Sequence, residues 1–443
     1  MRIIRTKMSL SVIILAAGSG TRMKSNTPKV LHKICGEELL FYSIEVAMQL
    51  SDDVHIILYH QAQRVREACE KRFGDKVHFH IQDFENFAGT GGALMQNGEM
   101  IDTAHQRVLI LNGDMPLITS HSLQKLTSLS SPVVLGVIES KNPFGYGRVL
   151  IEGGKLKAII EEKDACEEIK KIHTINSGVY VFDREILCRF LPLLDNRNAQ
   201  NEYYLTDIIK LSAGDEIEIE GVFVDEEEFS GINDKAQLSR AEEVMLHRLR
   251  EEAMRGGVIM HLPQSIYIEK GVRFEGECEI EQGVQLFGNT LIKDSHIKAH
   301  SVVRDSQILS SDIGPIAHIR PNSLIQNSHI GNFVEVKNST LHSIKAGHLS
   351  YLGDSEIDEG SNIGAGVITC NYDGKKKHRT KIGKNVFVGS DTQLIAPITI
   401  ADHTLIGAGS TIRKDSKEGD LLTSRAEQKN LANGYFAFFK DKK

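Results

Sequence analysis

Near the end of this chain aliphatic residues recur every six positions, at Ile382, Val388, Leu394, Ile400, Ile406 and Ile412, and Gly383, Gly389 and Gly407 follow three of them. A hexapeptide period marks a parallel β-helix: each side of a coil is one short strand, and the buried aliphatics of successive coils stack. Earlier copies, with slips between some of them, stand at Ile313, Ile319, Ile330, Val336, Ile357 and Ile363. The repeat breaks at Thr369 to Thr380, TCNYDGKKKHRT, which reads as an insertion too polar to be a coil. Loops projecting from a rigid scaffold are where function tends to sit.

The first half follows another rule. Apolar, β-branched runs at Ser11–Leu15, Val54–Leu58, Val77–Ile81, Val108–Leu111, Val133–Ile138 and Val179–Phe182 alternate with helix-like segments. This predicts an α/β, Rossmann-like domain: a mainly parallel sheet covered by helices, with ligands at the carboxyl ends of its strands. Between the halves, Asn233 to Arg255 lacks proline and glycine and carries Leu238, Ala241, Val244, Met245, Leu249 and Ala253 at mostly helical spacing. It predicts a connecting helix stopped by Gly256 and Gly257. The expected division is therefore 1–232, a linker helix over 233–257, and 258–443.

Composition narrows the partners. A formal net charge of -7 with both signs interspersed leaves no basic stripe for nucleic acid, so cationic clamps must be local. No stretch approaches the ~20 apolar residues of a membrane span. The basic segment Met1 to Lys7 precedes an apolar run too short for a secretory signal, and Met8 is a second candidate start. The six cysteines, Cys35, Cys69, Cys166, Cys188, Cys278 and Cys370, show neither a Cys-x-x-Cys pair nor zinc spacing. They are expected to be reduced, buried thiols of a cytoplasmic protein.

The chemistry starts at Leu15 to Lys29, LAAGSGTRMKSNTPK. It reads as a strand end, a phosphate-cradling turn and the start of a helix, with Gly18 and Gly20 letting backbone N–H groups face phosphate oxygens. A dinucleotide fingerprint would need glycine where Met23 stands, and a Walker loop would need Gly-Lys-Ser/Thr, so both common readings fail. What remains is Arg22 and Lys29 flanking the turn, two cations set to meet a polyphosphate. Farther on, Gly89, Thr90, Gly91 and Gly92 form a second glycine turn. In LNGDMPLI, Asp114 follows a strand that Pro116 ends. A carboxylate there suits Mg²⁺, which is held by few protein oxygens plus phosphates.

LAAGSGTRM followed by PK closely resembles the signature of sugar-nucleotide pyrophosphorylases. With GTGGA, LNGDMPL, NPFGYGR, EEKDA, INSGVY, NEYYLTD and SGINDKAQL in order, the first half resembles bacterial N-acetylglucosamine-1-phosphate uridylyltransferases. The resemblance implies that Leu15, Ala16, Ala17 and Gly18 line the nucleoside and phosphates of UTP, with Arg22 and Lys29 as the catalytic clamp. It implies Gln82, Gly89 and Thr90 at the uracil and Asn112, Gly113 and Asp114 at the nucleotide. Gly147, Glu161, Asn176, Tyr204 and Thr206 would surround the sugar, with Asp114 and Asn233 on Mg²⁺. Two departures stand out: the loop Asp83 to Ala88 is longer than the resemblance leads one to expect, and Gly92 replaces a common histidine.

In the second half AGHLSYLGD, NIGAG, NYDG and VGSDTQL resemble the acetyltransferase half of bifunctional enzymes that make UDP-N-acetylglucosamine. This implies a left-handed β-helix assembling as a homotrimer. His348, otherwise one of 18 histidines, would be the base that deprotonates the amine of glucosamine 1-phosphate. Arg320 and Lys337 would hold the sugar phosphate, with Tyr351 and Asn362 also contacting that substrate. Asn371, Tyr372, Lys377, Ala365, Ser390, Ala408 and Arg425 would line the acetyl-CoA site. The aromatic tail, with Tyr435, Phe436, Phe438 and Phe439, would pack on a neighbouring subunit. The expected function is bifunctional: N-acetylation with acetyl-CoA, then uridylyl transfer from UTP, for peptidoglycan and lipopolysaccharide synthesis. The alternatives are a monofunctional nucleotidyltransferase with a structural or regulatory β-helix, and a non-catalytic trimeric scaffold.

Overall fold

The structure, a computed structural model, describes residues 9–439; the basic segment Met1 to Lys7 lies outside them. The chain divides into two compact units between Met245 and Leu246, inside the helix Lys235–Arg255. That helix stops at Gly256 and Gly257, and Gly257 takes φ +101°, a left-handed turn that glycine enters without Cβ strain.

The first unit is built on a twisted sheet whose central strand, Leu10–Ala16, lies between Arg107–Asn112 and Asp53–Leu58, all parallel. His78–Ile81 extends the parallel side. Alternation along Leu10–Ala16 feeds two cores: Val12 and Ile14 pack on one face, Ile13 with Ile57 and Ile110 on the other. Beyond Arg107–Asn112 the expected parallel sheet gives way to a mixed one. Thr174–Asp183 runs antiparallel to it, followed by the hairpin Arg148–Glu152 and Lys155–Ile160. Gly153 and Gly154, both at positive φ, join that hairpin by a link too short for a parallel crossover.

A second correction concerns the start of the chain. No α-helix follows the glycine turn: Thr21–Met23 and Lys29–Leu31 are single 3-10 turns, and the first α-helix is Leu39–Leu50. The turn must therefore bind anions through its own N–H groups, without a helix dipole behind it.

The second unit consists of three parallel sheets of ten, nine and eight short strands, the three sides of a prism. One side stacks Ile313, Ile330, Ala346, Ile363, Val388 and Ile406. Another stacks Ile325, Leu341, Ile357, Ile382 and Ile400. Five or six residues carry the chain from one side to the next in most coils, so the hexapeptide aliphatics form one continuous core. Corner serines close the ladder: the Ser311 N–H donates to Ser295 Oγ at 3.0 Å and that of Ser328 to Ser311 Oγ at 3.0 Å. The backbone is thereby satisfied where the sheets turn.

The polar insertion is shorter than its sequence suggests. Thr369 and Thr380 are fully buried members of the coil strands Ile368–Cys370 and Thr380–Ile382, and only 371–379 projects. Thr369 fits a core position because its hydroxyl accepts from the Gly353 N–H at 2.8 Å and donates to the Gly353 carbonyl at 3.1 Å. The cysteines depart from expectation too. All six are free, yet only Cys35, Cys69 and Cys278 are buried; Cys166 and Cys188 are exposed and Cys370 is half-buried. Neither of the first two belongs to a buried core cluster, although Cys188 Sγ touches Met100 Sδ at 3.8 Å at the edge of one.

Candidate functional sites

At the carboxyl edge of the central strand, Leu15, Ala16, Ala17, Gly18 and Lys29 line a cavity of about 530 Å³ together with Gln82, Gly89, Thr90, Asn112 and Asp114. Gly20, at φ +61°, makes the geometry possible, since a Cβ there would stand 2.6 Å from Lys29 Cβ. It lets the segment carrying Lys29 fold against the turn. Gly113 is buried behind the wall, where a Cβ would meet Leu40 Cδ1 at 2.8 Å; its N–H donates to the Leu15 carbonyl at 2.9 Å.

Four charged or polar groups from three distant segments converge beside this cavity. The Lys29 ammonium pairs with Asp114 Oδ2 and reaches Asn233 Oδ1 at 3.3 Å. Arg22 Nη2 donates to the same Asn233 oxygen at 2.8 Å. Asp114 Oδ1 is buried without a hydrogen-bond partner, and the absent Gly231 side chain leaves room beside it, a Cβ there standing 3.0 Å away. The orphaned Asp114 carboxylate oxygen, with the Asn233 amide oxygen joined to the same carboxylate through Lys29, offers the oxygen donors that suit Mg²⁺, a hard cation. Among the described residues no cluster of three or more His, Cys, Asp or Glu forms an all-protein metal cage.

Gln82 is buried, and its Nε2 donates to the carbonyls of Phe87 and Gly89, each at 2.9 Å. Both amide hydrogens thus hold the long loop, leaving Oε1 for any ligand. The expected sugar residues form a separate group. Thr206 Oγ1 donates to Glu161 Oε1 at 3.0 Å, Glu161 Oε2 lies near the Gly147 Cα, and the Asn176 N–H donates to the Gly147 carbonyl at 2.9 Å. Glu161 and Tyr204 line a second cavity, of about 600 Å³, rather than the first. Burial raises the Glu161 carboxyl pKa, opposed by the Thr206 hydrogen bond. Burial likewise pushes the Tyr204 phenol up to about 12, keeping it a donor to Asp164 at 3.2 Å.

Sequence reasoning missed two features. Arg148, almost fully buried, pairs with Glu162 at 2.7 Å and donates to the Tyr146 carbonyl, tying the segment before Gly147 to the one after Glu161. Tyr59 and Phe84 also line the first cavity; the unexpected length of the loop after Gln82 was the only signal for the second.

On the β-helix the expected residues fall into two groups. His348, exposed on the strand Lys345–His348, stands opposite Asn332 in register. Continuing the same column, Ala365, Ser390 and Ala408 each lie two positions past the stacked Ile363, Val388 and Ile406. A glycine precedes each member, and a Cβ on Gly364 or Gly389 would stand 2.6 or 2.4 Å from backbone nitrogen of the next coil. Small residues thus keep this face narrow beside His348. The Arg425 guanidinium reaches the same column, near Gly407.

The second group is cationic. Arg320 pairs with Glu335 at 2.8 Å, and Lys337 has a lowered pKa chiefly because Lys377 approaches it, with Arg320 adding to the effect. Asn371 donates to Asp354 Oδ2 at 2.5 Å and to the Tyr351 hydroxyl at 3.4 Å, fixing the base of the insertion. Tyr372 stays exposed and pairs across the loop with Lys377. Asn362 lies one coil from Lys345, outside the cationic group. Asp373 organises the loop tip by accepting the Lys375 and Lys376 N–H groups and His378 Nε2, which hold its carboxyl well below the usual range.

Comparison with known proteins agrees with both halves. Residues 12–169 match the MobA-like NTP transferase domain and residues 379–414 the bacterial transferase hexapeptide repeat. "Bifunctional protein GlmU" of Wolinella succinogenes is 54% identical over 436 residues, covering 98% of this chain and 100% of that one. The proteins of the same name from Helicobacter hepaticus and Helicobacter pylori are each 57% identical, covering 98% and 97% of this chain and 98% and 99% of theirs. The fold is thus an α/β nucleotidyltransferase unit followed by a left-handed hexapeptide β-helix. A nucleotidyltransferase unit and an acyltransferase repeat on one chain, matched end to end by such relatives, place this protein in the bifunctional GlmU family.

Proposed function

We propose that the second unit acetylates glucosamine 1-phosphate and that the first transfers uridylyl from UTP to the N-acetylated product, delivering UDP-N-acetylglucosamine. The reading rests above all on the convergence of Arg22, Lys29, Asp114 and Asn233 beside the glycine-lined cavity. Nucleotidyl transfer asks for positioning and charge neutralisation rather than a general base, because the attacking phosphate is already ionised. An oxygen of the sugar 1-phosphate bonds to the α-phosphorus as the bond to the bridging oxygen breaks, and pyrophosphate leaves. Lys29 and Arg22 face the charge that accumulates on those oxygens. Asp114 Oδ1 and Asn233 Oδ1 would hold Mg²⁺, which supplies Lewis-acid charge neutralisation when bound. Gly147, Glu161, Asn176, Tyr204 and Thr206 orient the sugar.

In the second unit the amine of glucosamine 1-phosphate attacks the thioester carbonyl of acetyl-CoA. A C–N bond forms, the C–S bond breaks, and His348 takes the amine proton and passes it to the departing thiolate, so that coenzyme A leaves as the thiol. Arg320 and Lys337 hold the sugar phosphate, and the narrow column Ala365, Ser390 and Ala408 admits the acyl carrier. We take 233–257 as the connecting segment, a homotrimer held through the β-helix and the aromatic tail as the assembly, and the cytoplasm as the compartment. No helix among the described residues is long and apolar enough to cross a membrane.

A paired assay on the full chain tests this. Pyrophosphate should appear from UTP plus N-acetylglucosamine 1-phosphate with Mg²⁺, and free thiol from acetyl-CoA plus glucosamine 1-phosphate. Pyrophosphate without thiol would reduce the β-helix to an assembly module and remove the role given to His348.

A further inference from the structure

Tyr59 and Phe84 take no part in the chemistry above, yet they are the most conspicuous feature of the nucleotide cavity. Large rings are ordinarily buried; these remain 42% and 38% exposed while stacked on each other, centroids 4.6 Å apart and planes 15° apart. Tyr59 follows the strand Asp53–Leu58 directly and Phe84 comes just after His78–Ile81, so both project from the carboxyl edge of neighbouring parallel strands. Both line the same cavity as Gln82, Gly89 and Thr90, with Ala16 and Ala17 also in its wall.

The loop that carries Phe84 is held without its ring. The Gln82 N–H donates to the Leu58 carbonyl at 2.8 Å and the Phe87 N–H to the Asp83 carbonyl at 2.8 Å. Gln82 Nε2 binds the carbonyls of Phe87 and Gly89, and the Asp83 carboxylate accepts from the Asn86 N–H at 3.2 Å and Nδ2 at 2.8 Å. With the backbone fixed by these bonds, the exposed ring is not needed as a staple. A preorganised pair of aromatic faces at the mouth of a cavity is a platform for a flat heterocycle.

We propose that the Tyr59–Phe84 stack is the wall on which the nucleobase of the incoming nucleoside triphosphate packs face-on, with Phe84 a binding determinant for the nucleotide. The inference deepens the uridylyl-transfer reading and rests on it. Stacking reads the π-face common to all bases, so the platform supplies affinity, while Gln82 Oε1 and the Gly89–Thr90 turn are left to read the edge.

The test compares wild type with Phe84→Ala, Phe84→Leu and Phe84→Tyr in the full chain, by calorimetric UTP binding and by steady-state pyrophosphate release with UTP and with CTP. Phe84→Ala and Phe84→Leu should raise the UTP Kd and KM roughly tenfold, and leave kcat within about twofold, because the lost contact is made equally in ground and transition states. Phe84→Tyr should restore both constants. The UTP-to-CTP ratio of kcat/KM should stay constant, and thiol release from acetyl-CoA by the same preparations should match wild type, which verifies folding. The proposal is overturned if Phe84→Leu behaves as wild type, making the ring mere apolar cover, if Kd and KM are unchanged in Phe84→Ala, or if the nucleotide ratio shifts. Wild type that binds UTP yet releases no pyrophosphate would sink the uridylyl-transfer reading while leaving the stack to be judged by Kd; wild type that does not bind UTP would sink both.

Discussion

The two units solve the same problem, holding a phosphorylated sugar beside an activated donor, in opposite ways. In the first, Lys29 and Asn233 meet although 204 positions separate them, and Arg22 meets Asn233 across 211. In the second, His348, Ala365, Ser390 and Ala408 are one column of a ladder, brought together by the coil repeat itself. A site built by long-range closure depends on the whole sheet holding its register; a site built by repetition depends on its neighbouring coils.

Four experiments can break or sharpen that contrast, beginning with the largest effect. Asp114→Ala removes the orphaned oxygen and the partner of Lys29 together, and pyrophosphate release should fall about 10³-fold while thiol release is untouched. Comparable losses in both assays would mean that the long-range site and the ladder are not separable. His348→Ala should lower thiol release about 10²-fold, the worth of one general base, and leave pyrophosphate release intact. Unchanged thiol release would transfer the base role to another group.

Glu161→Gln probes the stability cost of the long-range design. Burial raises the folded-state pKa of Glu161 above its unfolded value, so ionising it destabilises the native state. Stability therefore falls as pH climbs from the ordinary carboxylate value of 4.5 through the raised one and stays reduced above it. The variant should melt higher than wild type at neutral pH by a few degrees, with the gap closing below about pH 4. An equal gap at every pH would show that the carboxylate charge is not the cause. The smallest effect belongs to the ladder. Lys337 keeps its charge only below a pKa that Lys377 depresses, so affinity for glucosamine 1-phosphate should weaken as pH rises through that value. Lys377→Met should move the weakening to higher pH; a KM profile that does not move would separate Lys337 from the sugar phosphate.

How much was legible in the sequence differs between the units for the same reason. The period of six was readable because each residue's side of the prism follows from a count along the chain, and Ile382, Val388, Leu394, Ile400, Ile406 and Ile412 are all buried. The ends of the insertion were misread because Thr369 and Thr380 look polar, and only the coils above and below show that both are buried strand members, the Thr369 hydroxyl bonded to Gly353. In the first unit the strands, the glycine turn and Asp114 were readable as local patterns. The helix expected after the turn, the antiparallel flank of the sheet and the two exposed cysteines were not, since packing partners far along the chain decide them. By itself, then, the sequence determined the secondary-structure periods, the motif order and the residue types able to do the chemistry, all of which are local. Only the tertiary structure decided that Arg148 clasps Glu162, that Gln82 spends its amide hydrogens on its own loop, and that Phe84 stacks on Tyr59, because each is a contact between residues whose separation carries no pattern.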